Sequence, residues 1–359
     1  MRIHSLVNRV FLLALLLTVG SCVVPYNPET EHLGSLLVVD GLVTDQPRSS
    51  YVLLTRTADY TASSLNLVVR QATVTVSDNM GQSVVFREIS PGYYQPPTDW
   101  KGVSGRIYTL TIRTSDGNQY RSEPDMLKPV PSIDTVYYEY TRIPIPGTAV
   151  FDKGFDVYLD TQDPESPDDN YRWNWTAYEQ ISLCEIREST DRSGVTTRTP
   201  FNCCTDCWDI GRCYACVTIA TDNAVNGNKI SRQPILRVGF TSTSRYYVEI
   251  EQYSLTDAAY QYWKTVRDLT RNTGGIFDSA PVTISGNIRS VTSPDERVFG
   301  FFGASGVSVR PVYVDRSKTG DQPDLLPPPP LPPPGPPLPC VRCIESNYRT
   351  AQKPRFWRN

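Results

Sequence analysis

Only one stretch of this chain repeats like a helix, and that restricts the fold more than any other feature. Thr256 is placed to cap it, Asp257 sits in its first turn, and Ala259, Trp263, Val266 and Thr270 recur on one side at spacings of three and four. Gly274 and Gly275 supply the stop, giving a helix over 256–272. The flanks change period. Arg245 to Tyr253 alternates Tyr247, Glu249, Glu251 and Tyr253 against Tyr246, Val248, Ile250 and Gln252, and Pro281 to Ile288 returns as a strand. With no other long helical pattern, and with Tyr, Thr and Val plentiful, the chain must bury itself by stacking sheets. The expected class is mostly all-β, two domains with one inserted α-helix.

Short runs with turn residues between them fill the first part. Leu36 to Val43, Tyr51 to Thr57, Ala72 to Ser77, Ser83 to Ile89 and Ile107 to Arg113 read as strands at sandwich spacing. Asp78-Asn79-Met80-Gly81 and Asp116-Gly117-Asn118 are suited to closing hairpins. These features predict an immunoglobulin-like β-sandwich over 33–130, in architecture only, since the cysteine pair and core tryptophan of antibody domains are missing. Lys128-Pro129-Val130-Pro131 makes a stiff boundary.

A second β domain, a sandwich or an open barrel, is expected over 131–316. Its strands are Ile133 to Tyr140, Gly154 to Asp160, Tyr171 to Ser182, Ile230 to Phe240, Arg245 to Tyr253, Val282 to Ile288, Arg297 to Ala304 and Val307 to Val314. Within it, Tyr171, Trp173 and Trp175 share one face of a strand, with Arg172, Asn174 and Thr176 on the other. That aromatic stripe is either domain core or a surface for stacking a ligand. The run Asp163-Pro164-Glu165-Ser166-Pro167-Asp168-Asp169-Asn170 reads as a solvated loop. Calcium is the alternative, although the spacing is not that of an EF-hand.

Cysteine use points outside the cytoplasm. Apart from Cys22 there are eight: Cys184, Cys203, Cys204, Cys207, Cys213, Cys216, Cys340 and Cys343. An even number in an exported chain predicts disulfides, and their pairing stays open because eight cysteines allow 105 connectivities. Cys203 and Cys204, being adjacent, are poor partners for each other. The Cys-x2-Cys pairs also suit zinc, but the spacer between Cys207 and Cys213 is short for a zinc ribbon. Six of these cysteines crowd an insertion over 183–217 that has no periodic pattern, so cross-links are expected to order it. The chain closes with an arm and tail over 317–359. Pro327 to Pro339 favours polyproline II, ending either in a strap stapled across the domain or in a spacer whose Cys340 and Cys343 bridge each other.

Arg2 and Arg9 precede an apolar run from Val10 to Val19 that is short for a membrane span and laid out like a secretion signal over 1–21. Val19-Gly20-Ser21-Cys22 resembles a lipobox, which makes Cys22 the lipid anchor and 22–32 a tether carrying Glu29 and Glu31. Only two histidines occur, His4 and His32, so neither domain holds one to act as the base of a Ser-His or Cys-His hydrolase. No carboxylate pair stands out for glycoside hydrolysis, and no phosphate-cradling glycine loop is present. A formal net charge of -3 and export argue against nucleic acid. No cofactor or catalytic metal is expected.

Tyr253-Ser254-Leu255, Tyr260-Gln261-Tyr262-Trp263, Thr273-Gly274-Gly275-Ile276-Phe277-Asp278 and Gly286-Asn287-Ile288, continued by Pro294, Asp295, Gly300 and Ala304-Ser305, resemble a family of Bacteroidota cell-envelope lipoproteins known only as a domain of unknown function. Members are often encoded beside TonB-dependent receptors. The resemblance implies an outer-membrane lipoprotein at the cell surface, or on the periplasmic face, that binds a ligand as an accessory subunit of such a receptor. A carboxylate-based glycoside hydrolase and an adhesin are the alternatives.

Overall fold

The computed structural model describes residues 35–57, 67–214, 216–222, 226–271, 284–324 and 339–358. The secretion signal, Cys22 and the tether, the Gly274-Gly275 stop and most of the proline arm lie outside these. The first part folds into β1 (Leu37–Thr44), β2 (Tyr51–Arg56), β3 (Thr73–Asp78), β4 (Ser83–Ser90), β5 (Tyr93–Gln95), β6 (Ile107–Arg113), β7 (Gln119–Ser122) and β8 (Asp125–Met126). Both expected hairpin turns form. Asp78 accepts hydrogen bonds from the backbone of Met80 and Gln82 between β3 and β4, and Asp116 accepts one from Asn118 between β6 and β7.

The remainder runs through β9 (Ile133–Pro144), β10 (Phe151–Gln162), β11 (Asn170–Gln180), β12 (Leu183–Thr190), β13 (Thr196–Asn202), β14 (Trp208–Arg212), β15 (Thr218–Thr221), β16 (Lys229–Gly239), β17 (Tyr246–Leu255), the helix α1 (Asp257–Arg271), β18 (Ile288–Ser290), β19 (Phe299–Ser305), β20 (Val307–Val314) and β21 (Arg349–Thr350). The class is mostly β, as expected, with sheets stacked as sandwiches.

The first sandwich is not built from the first part alone. Its strands run in the order β18-β7-β6-β3-β4-β5-β2-β1-β19, so residues 288–290 and 299–305, expected in the second domain, close both ends of the path. Ile288, Val298, Phe302 and Ala304 share one core with Leu37, Val52, Leu110 and Tyr120. The physical reason is an edge that only a late strand can cover. β19 lies parallel to β1, pairing Val38 with Phe299 through Thr44 with Ser305.

The approach is close enough to exclude side chains. A Cβ on Gly300, whose φ is +95°, would sit 1.8 Å from the Val39 carbonyl oxygen, and one on Gly286 would sit 1.8 Å from that of Gly300. Asn287 completes the join, its amide donating to the Phe302 carbonyl at 2.8 Å and accepting from the Phe302 N–H at 2.9 Å.

In the second sandwich, a three-stranded sheet β16-β10-β9 faces the larger sheet β20-β17-β11-β14-β21, with β15 also on β11. Phe155, Val157 and Leu159 from one side meet Tyr171, Trp173, Val248 and Ile250 from the other. The cysteine-bearing insertion, expected to lack regular structure, contains the β12–β13 hairpin and β14. Its strands were hidden because most of their residues are polar and at least half exposed, leaving no apolar alternation to read.

The two sandwiches meet at the start of α1. Thr256 caps it, accepting from the Ala259 N–H at 3.3 Å while its hydroxyl donates to Asp125 at 2.6 Å. The other Asp125 oxygen accepts from the Ala304 N–H at 2.7 Å. Ser254 donates to the Lys128 carbonyl at 2.7 Å and accepts from Gly306 at 2.9 Å. One buried carboxylate therefore ties helix, linker strand and β19 together.

Asn287→Leu should be strongly destabilising, because a side chain of similar size leaves the Phe302 N–H and carbonyl unpaired in a buried site. A loss of about 2–4 kcal/mol is expected in chemical denaturation. A loss within a few tenths of a kcal/mol of zero would show that this amide does not hold β19 in place.

Candidate functional site

The outer face of β1 is the starting point. Alternation sends Leu37, Val39 and Val43 into the first core, leaving Val38, Asp40 and Leu42 on the opposite side. That side faces α1 and the outer face of the β11–β17 sheet. The space between them is a cavity of about 230 Å³. Tyr51, Tyr253, Tyr262, Trp263, Leu255 and Phe301 form most of its walls, and Asp40 and Arg172 are the only charged side chains among the described residues that line it.

The walls are fixed by packing. Tyr262 stacks on Phe301 with ring centroids 4.8 Å apart, Tyr262 meets Trp263 edge-on at 5.3 Å, and Tyr51 stacks on Tyr93 at 5.6 Å. Leu255, Ala259 and Phe301 form a small third core beneath the helix.

Both charges are held without a counter-ion. The Arg172 guanidinium lies 3.5 Å from the centre of the Trp263 ring, a cation–π contact, and its buried Nε has no hydrogen-bond acceptor. Asp40 accepts from the Tyr51 hydroxyl at 3.1 and 3.3 Å. Its side chain is exposed, and the cavity it lines is partly open to solvent.

Removal from bulk water raises the Asp40 pKa above the ordinary carboxylate value. The Tyr51 hydrogen bond and the Arg172 charge offset this only in part. Burial likewise pushes Tyr51 and Tyr253 well above the usual phenol value, so both remain neutral donors, Tyr253 to Glu251 at 2.7 Å. Arg172 and Asp40 influence each other through space but form no ion pair.

The aromatic stripe lies elsewhere. Tyr171 and Trp173 are about 1 % exposed and Trp175 packs against the same core, so the stripe holds the second sandwich together and is not a stacking surface. Trp173 donates to Gln252 at 2.8 Å, and Gln252 donates to the Pro131 carbonyl and the Thr161 hydroxyl. Arg172, between two core aromatics, therefore points the other way. Asp163 is likewise buried rather than solvated, accepting from the Tyr171 hydroxyl at 2.5 Å and from Gly227 at 3.0 Å. Among the described residues no three carboxylates of this loop bring ligand oxygens together. Among the described residues the one convergence of possible metal ligands is Cys184, Cys207 and Cys343, all in disulfides.

The cysteines pair as Cys184–Cys203, Cys204–Cys340, Cys207–Cys343 and Cys213–Cys216, with Cα separations of 4.9–5.7 Å. Cys340 and Cys343 thus staple the tail across the domain, and the neighbours Cys203 and Cys204 go to different partners. The stapled tail adds β21 to β14. It also places Trp357 against Trp208, Tyr247 and Tyr313, and Arg355 on Glu249 at 2.9 Å. Helix and tail therefore cover opposite ends of one polar sheet face.

Sequence reading missed Arg172 and Asp40 as a pair. A charged residue between core aromatics and an aspartate in an apolar strand were the signals available.

Fold and cavity define a class: a β protein of two sandwiches with a partly open, mixed-charge aromatic cavity at their junction. Residues 23–310 match the family described as a domain of unknown function (DUF4249), and the chain belongs to that family. A search of the curated proteins returned no match.

Two outcomes are expected from this geometry. Because folding raises the Asp40 pKa, the folded protein binds that proton more tightly than the unfolded chain. Stability from this group is therefore fully present below about the unfolded value of 3.8 and is lost as pH rises through the folded one. Asp40→Asn should accordingly melt at or above the parent temperature at neutral pH, with the difference shrinking below pH 4. A variant that melts lower at neutral pH would overturn this. Separately, replacing Cys340 and Cys343 by serine should cost about 2–5 kcal/mol and let a protease remove the tail first. Parent-like resistance of 339–358 would show that β21 and Trp357 suffice.

Proposed function

We propose that this is a non-enzymatic binding lipoprotein of the outer membrane, held by Cys22 and presented at the cell surface. It captures a small ligand in the inter-sandwich cavity as an accessory subunit of a TonB-dependent receptor. The observation that carries the binding reading is an aromatic cavity that holds Asp40 and Arg172 with no ion pair between them and with the buried Arg172 Nε lacking an acceptor. An aromatic cavity with a few convergent polar groups suits a small ligand. Glycoside hydrolysis uses two carboxyl groups, whereas Asp40 is the one carboxyl among the lining residues.

The anchor and receptor rest on sequence: Arg2, Arg9 and the apolar run before Val19-Gly20-Ser21-Cys22, and the resemblance centred on 253–305. No helix among the described residues is long and apolar enough to cross a membrane, and three acyl chains on Cys22 would hold such a chain at the bilayer.

Tagged protein purified from detergent extracts should bring down one large barrel protein, and Cys22→Ala should move the chain to the soluble fraction. Repeated recovery without any receptor would overturn the partnership. Unchanged membrane fractionation of the variant would overturn the anchor.

A further inference from the structure

We infer that the cavity takes a free α-amino acid as its zwitterion, the ligand carboxylate on Arg172, its ammonium group on Asp40 and its side chain against the aromatic walls. This rests on the binding reading above and specifies the ligand's chemistry. The first argument is charge. The cavity holds one cation and one anion that do not pair with each other, so a ligand carrying a single charge satisfies one and leaves the other stranded. A neutral sugar satisfies neither fully. A molecule with both charges a short distance apart, and no net charge, satisfies both.

The second argument is direction. Trp263 covers the flat face of the Arg172 guanidinium at 3.5 Å, which leaves its edge for ligand contact. The Nε on that edge is buried, so a ligand would meet the terminal Nη groups where Arg172 lines the cavity. An in-plane fork of N–H donors matches a carboxylate through two parallel hydrogen bonds. A phosphate would fit the same fork, but it would place a second anion near Asp40.

Asp40 uses lone pairs on the Tyr51 hydroxyl and retains others on its cavity side. An ammonium group there meets the carboxylate through charge-assisted hydrogen bonds. Size agrees. About 230 Å³ is below the ~300–1,000 Å³ typical of drug-sized ligands, and Leu42, Leu255 and Phe301 provide an apolar wall for one side chain.

The test is titration calorimetry on the full chain in detergent, with L-phenylalanine and L-leucine as probes. N-acetyl-L-phenylalanine removes the ammonium charge, L-phenylalaninamide removes the carboxylate, and glucose serves as a neutral polar probe. Binding of a free amino acid is expected, weakened about 10- to 100-fold by either blocking group, the loss for one charge-assisted hydrogen bond. Asp40→Asn, which is expected to fold, should lose the preference for the free amine, and Arg172→Gln the preference for the free acid.

Equal binding of the blocked and free forms, or binding of glucose alone, would overturn the zwitterion and leave the small-ligand reading standing. If no probe binds, the zwitterion is likewise overturned. Native mass spectrometry of protein from producing cells then decides the wider reading: a co-purified small molecule supports it, and an empty protein counts against it.

Discussion

The parallel pairing of β1 with β19 is the constraint from which the rest of the architecture follows. Parallel neighbours need a crossover between them. Here that crossover contains the other strands of the first sandwich, nearly all of the second, and α1. With β19 beside β1, the chain reaches it from β18 at the other end of the same path, and β20, which follows at Val307, starts on β17. The junction is therefore determined by connectivity as well as by contact area. Gly286 and Gly300 allow the backbones to approach, and Asn287 supplies the hydrogen bonds that a neighbouring strand would otherwise make.

That junction also explains why the cavity exists. Two sheets packing directly would interdigitate their faces and exclude water. Here the outer face of β1, β2 and β19 meets the outer face of β11 and β17 with α1 beside them, and the helix's Tyr262 and Trp263 wall the space between. Both faces are the polar sides of their own sandwiches. This is why each contributes a charge, and why the lining mixes Asp40 and Arg172 with aromatic rings. Desolvating these groups opposes folding. The buried Asp125 bridge and the disulfide-stapled tail act on either side of the cavity, where they can offset that cost.

What was legible in the sequence divides along the same line. The helix, the two hairpin turns and the strand alternation are local, and each was readable because spacing or turn chemistry reports it within a few residues. Tyr171, Trp173 and Trp175 were readable as one face, and burial decided between core and stacking surface. The β1–β19 pairing was not readable, because β-ladders leave no mark on sequence when the partners are distant. For the same reason Asp40 and Arg172, in strands of different domains, could not be joined. Disulfide connectivity had 105 solutions on paper. Only the fold brings Cys204 and Cys207 beside Cys340 and Cys343.

The residues that mark the family resemblance divide in an informative way. Gly286, Asn287, Gly300, Ala304 and Ser305 build the β19 join, and Tyr262 and Trp263 build the cavity wall. Asp40 and Arg172 are not among them. The motif residues build the join and part of the cavity wall, while Asp40 comes from the generic first half and Arg172 from the aromatic strand inside the resemblance. The glycines and the cavity charges answer to separate physics: close backbone approach for the first, charge placed beside aromatic rings for the second.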